Sequence, residues 1–223
     1  MNKIVIIPTF NEIENIEKII RKVFSLSEGF HILIVDDGSP DGTAEVVKKL
    51  QIEYPNELFL MERKGKQGLG TAYIAGFKWS IHKKYDYIFE MDADFSHNPD
   101  DLIKLYDSVQ KDGNDVSIGS RYIKSGKVEN WPLNRIFISY GASLYVRMIT
   151  FMPIKDCTAG FVCYKREVLE NIDLDKIRFI GYAFQIEMKY RAWRKGYKLK
   201  EVPITFVDRK EGHSKMTKGI VKE

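Results

Sequence analysis

Tyr87–Pro99 reads YIFEMDADFSHNP, an apolar run that stops on two aspartates, Asp92 and Asp94, either side of one alanine. Like charges that close oppose each other's ionisation unless something cationic lies between them. One reading is a strand end followed by a helix cap, because Asn98 precedes Pro99 where a helix would start. The other is a site for a divalent metal. The positions of the remaining acids decide between them.

Working outward from this stretch, strand and helix signals alternate. Lys3–Ile7, Ile32–Val35, Leu58–Met61, Tyr87–Met91 and Val116–Ile118 are short β-prone runs. Between them, Ile13, Ile16, Ile20 and Val23, then Val46, Val47 and Leu50, then a glycine-punctuated stretch from Leu69, then Pro99–Lys111 carry helical spacing. The second half predicts a helical region over Trp131–Met152, a strand near Gly160–Tyr164, a helix over Tyr182–Lys195 and a strand over Leu199–Phe206. Alternating β and α signals predict an α/β fold with a mostly parallel, Rossmann-like sheet and helices on both faces. No repeat or linker divides the chain.

In such a sheet, ligands bind outside the carboxyl ends of the strands. Three strand ends are polar: PTFNE (Pro8–Glu12), DDGS (Asp36–Ser39) and DAD (Asp92–Asp94). One acidic strand end is ordinary, whereas three on one rim need cationic or hydrogen-bonding partners. A hard divalent ion with oxygen ligands supplies them. PTFNE is not a glycine-rich dinucleotide fingerprint, so a nicotinamide or flavin enzyme is disfavoured. GKQGLGTA (Gly65–Ala72) lacks the order of a phosphate-binding P-loop, and its glycines suit close backbone approach at a helix start.

Composition bounds the partners. The chain has 223 residues, 44% hydrophobic and 30% charged, as in a soluble globular protein. Lys plus Arg of 35 against Asp plus Glu of 31 leaves +4, too mild for a nucleic-acid binder. Cys157 and Cys163 make no disulfide framework or metal motif, and Cys163 reads as a buried apolar residue. MNKIVIIPTF is not a signal peptide, so the cytoplasm is the default compartment. Ile136–Ile154, IFISYGASLYVRMITFMPI, approaches a membrane span but is broken by Arg147. It reads first as a buried core helix and second as a helix lying on a bilayer.

VIIPTFNE, IVDDGSPDGT, GLGTAYIAGF, MDADFSHNP, GSRY, DCTAGF and FQIEM, in that order and spacing, resemble glycosyltransferase family 2. Within it they resemble the polyprenyl-phosphate (dolichyl-phosphate) mannosyltransferases. The likeness runs from Ile4 to Lys215 and departs at Val162, where relatives often carry a basic residue. It implies an A-type glycosyltransferase fold over residues 1–223, with a nucleotide-sugar half (1–120) and an acceptor half (121–223). It also implies that Pro8, Phe10, Glu12 and Asp37 line the nucleoside pocket, Asp37 facing the base. Asp92 would reach the ribose or sugar side, and Asp92, Asp94 and Ser96 would hold Mg²⁺ or Mn²⁺ on the diphosphate. Asp92, Asp94, Arg121 and Arg135 become the catalytic candidates. Arg121, Arg135 and Ser139 would meet an acceptor phosphate, Arg209 and Lys215 the donor diphosphate, and Asp156, Gln185 and Glu187 the sugar.

A hydroxyl acceptor needs a general base, and an acidic residue near Glu187 often supplies it in family members of that kind. A phosphate monoester, with a second pKa of about 6, is already mostly dianionic at neutral pH. It needs cations that hold it in line, and arginine's planar fork suits phosphate oxygens. The favoured reading is inverting mannose transfer from GDP-mannose to a polyprenyl phosphate at the cytoplasmic face of a membrane. A second keeps the fold but takes a UDP-sugar donor or a hydroxyl acceptor. A third is a non-catalytic nucleotide-sensing module that recruits partners to membranes. A partner subunit or a removed membrane segment is left open as the anchor.

Overall fold

In the strand β1 (Lys3–Thr9), Ile4 and Ile6 enter one apolar cluster while Val5 and Ile7 enter another, because successive side chains leave a strand on opposite faces. The same split occurs in β2 (His31–Asp36), with Leu33 and Val35 on one side and Ile32 and Ile34 on the other. Both faces must therefore be covered. In this computed structural model, which describes residues 2–181 and 183–208, helices do so. One face carries α1 (Ile16–Phe24), α2 (Thr43–Glu53) and α4 (Asp101–Gln110), and the other α3 (Leu69–His82), α6 (Arg166–Asn171) and α7 (Ala183–Arg194). Ile16, Ile19, Ile20 and Val23 form the buried stripe of α1, each contributing about 1.5–3 kcal/mol by leaving water.

With β3 (Leu58–Glu62), β4 (Tyr87–Glu90), β5 (Val116–Ser120), β7 (Val162–Lys165) and β8 (Leu199–Pro203), the main sheet has the order β3-β2-β1-β4-β7-β5-β8. All neighbours are parallel except β7, which runs antiparallel to both β4 and β5. β7 begins beside Glu90, at the carboxyl end of β4, so it must run back down the sheet. The expected strand at Gly160–Tyr164 is thus present but reversed. The expected strand over Leu199–Phe206 divides at Ile204: β8 stays in the main sheet, and β9 (Thr205–Val207) pairs with β6 (Lys127–Glu129) in a second, two-stranded sheet.

Glycines in the Leu69 stretch serve packing. A Cβ on Gly76 would lie 2.7 Å from Ile6 Cγ2, so α3 sits against β1 only because Gly76 has no side chain. The amide of Gly70 at the start of α3 donates to Ile180 O at 2.8 Å, and the helix N-terminus faces the segment before α7.

The helix α5 (Leu133–Thr150) corrects the expectation of a buried core helix over Ile136–Ile154. Only Ser143 in it is buried. Leu133, Phe137, Ile138, Tyr145, Met148 and Ile149 are 59–73% exposed, and Phe151 just after it is 81% exposed. The side facing the protein carries Arg135, Ser139, Ser143 and Arg147 at four-residue spacing, with Ile136 and Val146 beside them and Val146 against the core. The pattern is that of a core helix turned inside out. Among the described residues no helix is long and apolar enough to cross a membrane.

Candidate active site

Because β1, β2 and β4 are parallel, PTFNE, DDGS and DAD emerge on one rim, as their spacing predicted. β5 runs in the same sense, so Arg121, directly after it, joins that rim.

At the nucleoside end, the adjacent acids part company. Asp36 accepts from Thr9 Oγ1 at 2.8 Å, Ser39 N at 2.8 Å and Ser39 Oγ at 2.6 Å, and so builds the turn. Asp37 is buried and lies 3.2 Å from Arg63 Nε. Burial raises its pKa, opposed by the Arg63 charge. Asp37 Oδ1 is the oxygen that faces Arg63 Nε, the Gln67 amide also bonds this carboxylate, and Arg63 Nη1 is buried without a hydrogen-bond partner among the described residues. Arg63 was not singled out in the sequence, since it stands in a run of lysines after β3. Pro8 ends β1 half-buried, Phe10 lies under Lys66 Nζ at 5.4 Å, and buried Glu12 accepts from Asn15 Nδ2 at 3.2 Å.

At the DAD turn, Ser96 N donates to Asp94 Oδ1 at 3.0 Å, and Phe95 adopts a left-handed φ of 58° that closes the turn. Tyr73 Oη approaches Asp92 Oδ1 at 3.5 Å. His97 is buried, and desolvation pushes its pKa down to about 4, so the ring is neutral and Nδ1 accepts the Asp92 amide at 3.4 Å. Its 3.8 Å approach to Asp92 Oδ2 is therefore not an ion pair. Asp92 and Asp94 remain partly open to solvent. Among the described residues no three His, Cys, Asp or Glu side chains converge on a point that holds a metal by themselves. Two carboxylates that need further oxygens from a diphosphate fit the way a hard cation such as Mg²⁺ is held.

Aromatic rings join this turn to Arg121 and Arg135. His97 packs on Phe206 (5.3 Å), Phe206 on Trp131 (5.2 Å), and Arg121 lies 5.5 Å from both Phe206 and Trp131. Arg135 stacks on Trp131 at 3.9 Å. Arg121 is buried and bidentate to Asp156, with Nε and Nη2 at 2.7 and 2.6 Å, and Nη2 also reaches Thr158 Oγ1 at 2.8 Å. Arg135 is a third exposed and bonds Asp208 at 3.0 Å. Ser139, one turn further on, is half-buried beside Tyr122.

Three of the residues expected at the sugar have other contacts. Asp156 is fully buried and held by Arg121. Gln185 is buried and donates to Glu90. Glu187 accepts from the amides of Arg178 (2.8 Å) and Phe179 (3.1 Å) and pairs with Arg191 at 2.7 Å. Burial raises its pKa, but those hydrogen bonds and the Arg191 charge outweigh it and leave it lowered. Arg209 and Lys215 lie outside the described residues.

Comparison with known proteins agrees with this geometry. The family model "Glycosyl transferase family 2" matches residues 4–173. A polyprenol monophosphomannose synthase of Mycolicibacterium smegmatis is 46% identical over 99% of this chain and 83% of its own. An undecaprenyl-phosphate mannosyltransferase of Micrococcus luteus is 44% identical over 100% of this chain and 90% of its own. Among solved structures, a mannosyltransferase from Pyrobaculum calidifontis in complex with GDP-Man and Mn²⁺ superposes with a TM-score of 0.65 at 18% identity, covering 96% of this chain and 58% of that one. That likeness extends the shared architecture, an A-type glycosyltransferase fold with a mostly parallel sheet. With seven motifs in order, one acidic rim and relatives alike over most of their length, the chain belongs to glycosyltransferase family 2.

Proposed function

We propose that this glycosyltransferase moves mannose, with inversion, from GDP-mannose to the phosphate of a polyprenyl (dolichyl-type) phosphate at a membrane surface. The observation that carries the reading is the make-up of the acceptor side. Arg121 and Arg135 gather on Trp131, while the nearest base candidate, Glu187, is committed to Arg191 and two backbone amides. A phosphate dianion needs cations and no base; a hydroxyl needs the base. The names of the relatives support mannose and a polyprenyl phosphate, and the Pyrobaculum structure supports GDP-mannose and Mn²⁺.

Asp92 and Asp94 would hold Mg²⁺ or Mn²⁺ with help from the Ser96 turn. When bound, the ion neutralises charge that builds on the departing diphosphate. Asp37, held by Arg63, would face the base, with Pro8, Phe10 and Glu12 at and after the end of the neighbouring β1. Arg135 would meet the acceptor phosphate in place of Asp208, with Ser139 beside it, and Arg121, neutralised by Asp156, holds the Trp131 ring on which Arg135 stacks. The apolar outer side of α5 supports contact with the bilayer that carries a polyprenyl chain, since a soluble surface rarely exposes so many large apolar groups together.

Incubating the enzyme with labelled GDP-mannose or UDP-glucose, each with polyprenyl phosphate, and extracting into organic solvent tests this. Label from GDP-mannose in the lipid phase is expected. Label from UDP-glucose alone would replace the donor, and binding of donor without turnover would leave a sensing module.

A further inference from the structure

Glu90 is the last residue of β4, two positions before Asp92, and points into the apolar layer beneath α3 and α7 with no exposed surface. A carboxylate there costs several kcal/mol unless it is compensated. Part of the compensation comes from α7, where Lys189 is equally buried, while Glu90 Oε1 has no hydrogen-bond partner among the described residues. The two do not touch. Gln185 Nε2 donates to Glu90 Oε2, while Lys189 Nζ donates to Gln185 O at 3.0 Å, to Gln185 Oε1 at 3.4 Å and to Ala159 O at 2.5 Å. Ala159 belongs to the loop that also holds Asp156, the partner of Arg121. One buried chain of bonds therefore begins at the root of the DAD turn and ends at the root of the arginine site. No motif in the sequence singles out Glu90 or Lys189, since each stands inside an element where an apolar residue is expected.

We infer that Glu90, Gln185 and Lys189 form a positioning strut that fixes the Asp92–Asp94 turn against the Asp156–Arg121 pair and so sets the separation of donor and acceptor. This rests on the transfer reading above. The nucleoside contacts on β1 and β2 hang on neither end of the strut, so losing it should spare metal-free nucleotide binding and slow the transfer step. A misplacement of about 1 Å costs on the order of a hundredfold in rate.

The test uses Glu90→Leu/Lys189→Met, which removes both charges together and so spares the fold the cost of one unpaired ion. Glu90→Gln serves as the conservative control, because its amide still meets Gln185. For the double variant we expect a melting temperature within a few degrees of wild type, a Kd for GDP measured without metal within about threefold, and kcat lower by about a hundredfold. Hydrogen exchange should be faster in both 91–97 and 156–160. Glu90→Gln should keep kcat within about threefold of wild type. If the double variant does not fold, Gln185→Met, which cuts only the bridge, is read by the same measures. A folded variant with wild-type kcat and unchanged exchange in both segments overturns the strut. If wild type itself transfers nothing, the transfer reading fails, and exchange alone decides the strut.

Discussion

Asp36 and Asp37 are neighbours in the chain, yet only one of them faces the pocket. Asp36 is consumed by Thr9 and Ser39, and Asp37 meets Arg63 across the rim. The sequence offered both acids and the resemblance selected Asp37, but Arg63 was hidden because nothing local separates a buried arginine from the solvated lysines around it. Glu187 illustrates the converse. Its motif suggested a sugar ligand or base, and its hydrogen bonds instead make it the clamp of the segment before α7. At this scale the metal reading gives a direct prediction. Asp94→Ala should leave the melting temperature nearly unchanged, because Asp94 is partly exposed, and should abolish transfer, as should excess chelator on wild type. Full activity in chelator would remove the metal. The buried thiols give a second prediction. Burial pushes Cys157 up to about 11 and Cys163 well above the usual thiol range, so a thiol reagent at pH 8 should label neither until denaturant is added. Fast labelling of the native protein would mean that the loop after α5 opens.

The element that the sequence left undecided is α5. Apolar residues recur on more than one side of it, so periodicity gave its helical character but not which side meets the protein. Burial answers that: Ser143 faces in and Phe137, Ile138 and Tyr145 face out. Replacing Ile138 and Tyr145 together by Asp should change the unfolding midpoint little, since both are more than 60% exposed. It should abolish sedimentation with polyprenyl-phosphate vesicles. If the variant still sediments like wild type, α5 is not the contact. The glycines at the start of α3 were legible as close-approach residues, and Gly70 bears that out, since a Cβ there would lie 2.8 Å from Phe184 and 3.0 Å from Ile180 Cα; Gly76, further along, packs as closely on Ile6. Gly76→Ala should destabilise the fold by about 1–3 kcal/mol, read from the urea midpoint. An unchanged midpoint would mean that the helix shifts freely.

For the whole molecule, the alternation of elements specified the parallel sheet and the acidic rim from local pattern alone. The place of β7 between β4 and β5 was not legible, because strand order depends on pairings between distant segments that local spacing does not encode. That strand lies between β4 and β5 and pairs with both, so it sets the segment that bears Asp92 and the one that bears Arg121 two strands apart on the same rim. The central claim is that the acceptor arrives as a phosphate dianion and that cations, not a base, prepare it. Arg121→Ala is a poor test, since it leaves Asp156 buried and unpaired, which costs about 3–5 kcal/mol of stability. Arg135 is a third exposed and is the better choice. The deciding measurement is the pH dependence of kcat/KM for polyprenyl phosphate in wild type, Arg135→Ala and Glu187→Gln. With Glu187 held below the usual carboxylate range, it is ionised throughout pH 5–9 and contributes no limb there. The account predicts an acidic limb near the phosphate pKa of about 6 in all three enzymes. It also predicts a loss of about a hundredfold in Arg135→Ala and most of the wild-type rate in Glu187→Gln. An inactive Glu187→Gln beside a near-wild-type Arg135→Ala would contradict it and make Glu187 the base for a hydroxyl acceptor.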